Sequence, residues 1–219
     1  MLSVIQMIVA VEMLMLPMWA AAMVVRPPIR AVRPAGLGVR AARALGGVVV
    51  PALLLLPLAA FADRPVIGPV LKAQGLAIGF VVLLVGVGAV LDRLAGGRAA
   101  QILTTLVGWA ILGAVILAGP LAEMLQGDAQ AALVRTVVHS NPLLVAEREL
   151  GLDWLHQGWT YRLTPLAESF GYLLGDVACW KTMLAHLFIG SGLLVFSIGR
   201  SQRHAPAPST SLRAGKRGG

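Results

Sequence analysis

The chain has 219 residues, of which 58% are hydrophobic and 13% charged, and its mean hydropathy is +0.81. A soluble domain carries about 25% charged residues, so this composition excludes a water-soluble globular protein and favours a membrane protein. The net charge of +8 comes with no recognised nucleic-acid motif, and it reads instead as basic loops of a membrane protein.

Five apolar segments follow one another along the chain: residues 2–25, 45–62, 75–91, 102–122 and 182–199. Each is near or above the ~20 residues that cross the hydrocarbon as a helix. None alternates with a period of two, which disfavours a barrel. A helix satisfies its own backbone groups in lipid. The expected fold is therefore all-α, a polytopic membrane protein with five transmembrane helices. The first segment ends in Ala20-Ala21-Ala22 but has no positive start and an overlong apolar run, so it reads as a retained span rather than a cleaved leader.

The first span contains Glu12 near its middle, where a carboxylate is costly. Two readings stand. It relays a proton or meets a substrate, or it is neutral and bonded to another helix, for example at Thr104, Thr105 or Ser191. Met7, Met13, Met15, Met18 and Met23 share that span and read as adaptable packing rather than a copper path. The connection after it carries Arg26, Arg30, Arg33, Arg40 and Arg43 without an acid. Gly75 and Gly79 open the third span with a small-xxx-small spacing that permits close helix approach. His186 sits near the start of the last span and reads as a helix-contact residue.

If the spans alternate, one side of the membrane collects twelve basic residues and one acid, and the other six basic residues and eight acids. The positive-inside rule then puts the N-terminus outside and the C-terminus in the cytoplasm. The tail 201–219, rich in Pro, Ser, Gly and Arg, is expected to be disordered. The expected organisation is a four-helix membrane region (1–122), an external helical cap (123–181), the last membrane helix (182–200) and that cytoplasmic tail.

The segment between the fourth and fifth spans is the longest connection. Its first part carries apolar residues at helical spacing, and "SNP" breaks it. Asn141 can cap a helix starting at Pro142, where the missing N–H is harmless, and Gly151 closes it. Trp154, Trp159, Tyr161, Tyr172 and Trp180 follow, side chains that favour the headgroup level. Short amphipathic helices are expected here, lying in the outer interface or dipping into it. Glu149, Asp153 and His156 would share a helical face, which reads as a solvated face rather than a zinc site. His139-Ser140 reads as part of a turn rather than a base and nucleophile, and the single Cys179 as a small apolar packer. No catalytic, metal or cofactor constellation emerges, and the expected role is not that of an enzyme.

"LSVIQMIVAVEMLMLPMWAAAMVVRPPIRA", the Pro-containing second segment and "SNPLLVAERELGLDW" before the last span together resemble the membrane subunits of ATP-binding-cassette exporters of bacteria. The resemblance implies a location in the bacterial inner membrane, short helices on the outer side before the last span, and a separate ATPase docking near residues 26–44. The family pattern has six spans and this chain five, which leaves three alternatives within the resemblance: a truncated start, a second membrane subunit that supplies the missing span, or a degenerate paralogue. A non-transporting scaffold or assembly subunit, and a small transporter using Glu12, are the other roles the sequence allows.

Overall fold

The computed structural model describes residues 2–25, 36–62, 66–152 and 178–202. Among them there is no strand. The helices are α1 (Leu2–Val24), α2 (Leu37–Ala60), α3 (Ile67–Leu94), α4 (Gly97–Glu123), α5 (Gly127–Ser140), α6 (Pro142–Glu149) and α7 (Cys179–Gln202). Five of them, α1, α2, α3, α4 and α7, are long and apolar enough to cross a membrane. At ~1.5 Å per residue each exceeds the ~30 Å of a hydrocarbon core. The chain is an all-helical, multi-pass membrane protein.

The helices outrun the apolar windows that announce them. α2 starts at Leu37 rather than residue 45, and α3 at Ile67 rather than 75. Helical backbone bonds do not require apolar side chains, so Arg40 and Arg43, expected in a loop, lie in the first turns of α2. Likewise Lys72 and Gln74 lie in the first turns of α3.

α3 is the centre of the bundle. It packs against α1, α2, α4, α6 and α7. Two-thirds of its apolar window is buried (67%), against 17% for α2 at the edge. Glycines set how closely its neighbours come. A Cβ on Gly86 would lie 2.4 Å from the Gly190 carbonyl oxygen, and one on Gly190 would lie 2.5 Å from that of Val82. The α3 and α7 backbones are thus in direct contact, where packing replaces the hydrophobic drive that lipid cannot supply. Gly108 of α4 makes room for the Pro17 ring of α1 in the same way, with 2.6 Å left for a Cβ.

Pairings along the helices fix their directions. Gly75 meets Met183, Gly86 meets Gly190, and Ser197 Oγ donates to the Ala89 carbonyl, so α3 and α7 are parallel. Glu12 meets Gln74 and Val24 meets Gly88, so α1 runs with them. α2 and α4 run the other way, with Trp19 Nε1 on the Ala44 carbonyl and Trp109 Nε1 on that of Leu14. The start of α1 and the end of α7 therefore lie on opposite faces of the bundle.

α5 and α6 are too short to cross. Gly127 (φ 59°) turns the chain back from the end of α4, and α5 runs down beside α4. Gln130 Nε2 holds the Ala122 carbonyl near the top, while Asn141 Nδ2 holds that of Leu112, close to the midpoint of α4. α6 then climbs back to Leu150, whose carbonyl accepts from Gln6 Nε2 near the start of α1. Gly151 (φ 78°) ends it, with Gly151 N bonded to Arg148 O and Leu152 N to Glu147 O, the double closure that a left-handed glycine permits. α5 and α6 form a re-entrant hairpin that packs into the bundle, with Asn141 and Pro142 buried at its turn and Ser140 exposed beside them.

Candidate functional site

Polar side chains inside this bundle gather around the hairpin and the half of the bundle where α1 begins. Glu12 is buried (6% exposed), and its Oε2 accepts from Gln74 Nε2 at 2.8 Å. Neither Glu12 Oε1 nor Gln74 Oε1 has a hydrogen-bond partner. The bonding partner of Glu12 is thus on α3, not among the three residues expected from sequence. Thr104 and Thr105 instead bond back to the carbonyls of Ala100 and Gln101, one turn earlier in their own helix, and Ser191 is exposed.

The hairpin tip is pinned by its own polar groups. Asn141 Oδ1 accepts from Leu143 N and Leu144 N, capping α6, while its Nδ2 reaches α4. Pro142 occupies the first position of α6, as expected. From α7, Thr182 Oγ1 donates to the His139 carbonyl at 2.7 Å, and His186 Nε2 lies 3.1 Å from the Ser140 carbonyl oxygen. The His186 ring rests 5.8 Å from that of Phe80 on α3, so His186 is a helix-contact residue that joins α3, α7 and the tip. Burial, aided by the charges of Arg135, Lys181 and Arg148, lowers the His139 pKa. Its imidazole is therefore biased toward the neutral form beside this tip.

Higher on α6, Glu147 is fully buried and neither carboxylate oxygen has a hydrogen-bond partner. Burial raises its pKa to about 7. Next to it Glu149 pairs with Lys72 of α3 at 2.8 Å, on the more exposed side of α6. Four helices thus hold the hairpin: α1 through Gln6, α3 through Lys72, α4 through Leu112 and Ala122, and α7 through Thr182 and His186. Only α2 makes no such bond among the described residues.

A cleft of about 610 Å³ lies between α1 and α2, and Glu12 lines it. Its other walls are apolar and include Met7, Met15, Trp19, Gly46 and Leu54. Met7, Met15 and Leu54 are more than half exposed, so the cleft opens sideways onto the surface that faces lipid.

At the opposite end, Arg40 is folded inward. Its Nη1 bonds the Val24 carbonyl and lies 3.5 Å from Asp92 Oδ2, tying the end of α1 and the start of α2 to the end of α3. Arg43 is exposed on α2. Trp180, expected as an interfacial anchor, is exposed in the first turn of α7, with Lys181 Nζ 5.7 Å from its ring centre. Arg26, Arg30, Arg33, Asp153, Trp154, His156, Trp159, Tyr161 and Tyr172 lie outside the described residues, as does the tail from residue 203.

Sequence reasoning missed Gln74, Glu147, Gly86 and Gly190. Gln74 sits at the polar edge of its span and carries no motif. Glu147 looks like one more solvated acid until α6 is known to enter the bundle. Among the described residues no group of three His, Cys, Asp or Glu side chains is placed to hold a metal ion. Compared with known proteins, the chain matches no family, no curated protein and no solved structure.

Proposed function

We propose that the chain is the permease-like membrane subunit of an ATP-binding-cassette exporter in the bacterial inner membrane, energised by a separate ATPase. The observation that carries this reading is the re-entrant hairpin. It falls between the fourth and last long helices, where the resemblance expects short helices on the outer side. It is bonded to α1 and α3 at the far end of α6 and to α4 and α7 at its tip, so a rearrangement of those helices must move the hairpin or break one of these bonds. Such a plug in the half of the bundle where α1 begins is what a gate to the outer face needs. The positive-inside rule puts that half outside and the arginine-bearing end in the cytoplasm, where Arg43 and residues 26–44 offer the ATPase its docking surface.

A second reading, a membrane scaffold, is favoured by α2. That helix is largely uncovered and presents Val49, Val50, Leu53 and Leu54 outward. Its apolar side suits either lipid or the spans of a second membrane subunit.

The test is affinity purification of the tagged full-length chain in mild detergent, followed by mass spectrometry and ATPase assay. The exporter reading expects a co-purifying cassette ATPase, and an Arg43→Cys chain that crosslinks to it. Isolation of the chain with membrane partners but no ATP-hydrolysing subunit overturns that reading in favour of the scaffold.

A further inference from the structure

We propose that the cleft between α1 and α2 binds a lipophilic amine, entered from the lipid side, whose protonated nitrogen donates to Glu12. The volume, about 610 Å³, falls within the range that holds a small ligand. Two adjacent glycines shape it differently. A Cβ on Gly47 would meet the Trp19 ring at 2.4 Å, so Gly47 lets that ring lie against α2. Gly46 faces open space, with nothing within 4 Å of its would-be Cβ, and this space is part of the cleft.

The chemistry of the occupant follows from the wall. Nearly everything lining the cleft is apolar, and Met7 and Met15 can repack around ligands of different outline. The exception is Glu12, nine-tenths buried, with Oε1 unpartnered. An acyl chain would fill the space and leave that oxygen without a donor. An anion would be repelled. An ammonium supplies both hydrogen-bond donors and the opposite charge, and pairing is strongest where water is excluded. Trp19 adds an aromatic wall, its indole N–H already occupied by the Ala44 carbonyl. Gln74, held on the other carboxylate oxygen, keeps the side chain of Glu12 in place.

As a substrate class this rests on the exporter reading; as a binding site it does not, and the experiment contains no ATPase. The full-length chain in phosphatidylcholine nanodiscs is titrated with dansylcadaverine, a primary amine on an aromatic body, and with its uncharged N-acetyl derivative, subtracting empty nanodiscs. The wild-type chain is expected to bind the amine saturably and the acetylated form at least tenfold more weakly. Glu12→Gln, which keeps a partner for Gln74, should remove that preference by weakening amine binding at least tenfold. Gly46→Leu should abolish saturable binding of both while the chain elutes as before and is no less stable. Equal binding of the two probes, an amine affinity unchanged in Glu12→Gln or Gly46→Leu, or no saturable binding at all overturns the proposal and leaves the cleft to acyl chains. None of these outcomes bears on whether an ATPase co-purifies.

Discussion

α3 with α7 and α1 with α2 are both pairs of membrane-length helices, yet they meet in opposite ways. The first pair is pressed together until backbone touches backbone at Gly86 and Gly190, and the hairpin is bonded along its upper half. The second pair is joined at the basic end by Trp19 and Arg40 and stands open above it. Glycine is present in both. Facing another backbone it permits contact, as Gly190 does; facing nothing it leaves a void, as Gly46 does. The partner across the gap, more than the residue itself, decides whether a small side chain tightens a bundle or opens it.

The comparison breaks most directly at the closed pair. Gly190→Leu drives a side chain into the Val82 and Leu83 backbone, which cannot yield as a flexible side chain would. The expected result is loss of the monodisperse peak in size-exclusion chromatography, whereas Gly192→Leu, with open space at that position, should keep it.

Next in size is the hairpin carboxyl. The Glu147 pKa is raised from 4.5 to about 7, so between those pH values the folded chain holds a proton that the unfolded chain has released. Stability is therefore expected to be highest below pH 4.5 and to fall as pH rises toward 7, by up to roughly 3 kcal/mol. Glu147→Gln should flatten that dependence and raise Tm at pH 8. A wild-type Tm that climbs through this window would contradict the buried, unpaired placement.

Asn141→Ala removes the α6 cap and the bond to Leu112, at an expected cost of about 2 kcal/mol in thermal unfolding. Asn141→Asp keeps the cap acceptor but replaces the donor to α4 with a carboxylate oxygen that the Leu112 carbonyl repels. It should open the tip to thiol reagents at a Val138→Cys reporter, a position now buried, while leaving α6 helical. The smallest effect belongs to the open pair. Gly46→Ala should gain about 0.5–1 kcal/mol from helix propensity, because nothing opposes the added methyl. A loss there would mean that α1 and α2 close in the membrane.

The five long helices were legible because burial in lipid demands unbroken apolar runs, and those runs need no tertiary knowledge. Asn141, Pro142 and Gly151 were legible because capping is local chemistry written within four residues. The depth of the hairpin was not. A polar, amphipathic stretch suits an interface as well as a bundle interior, and only the bonds to Leu112 and His186 distinguish them. The helix ends are blurred because charged first turns continue a helix without adding hydrophobicity, and so the apolar pattern leaves Arg40 in a loop although it lies in α2. The partner of Glu12 was hidden for a related reason: in lipid any polar side chain at matching depth will serve, and Gln74 is 62 positions away in the chain.

The parallel contact of α3 and α7 also sets an order of events during synthesis. The groove that Gly79 and Gly86 cut into α3 is finished long before its occupant leaves the ribosome, since the hairpin and the residues around it must be made first. Until then that glycine face meets only acyl tails or the insertion machinery. A nascent chain halted before Cys179 would therefore carry an unfilled slot down its most buried helix.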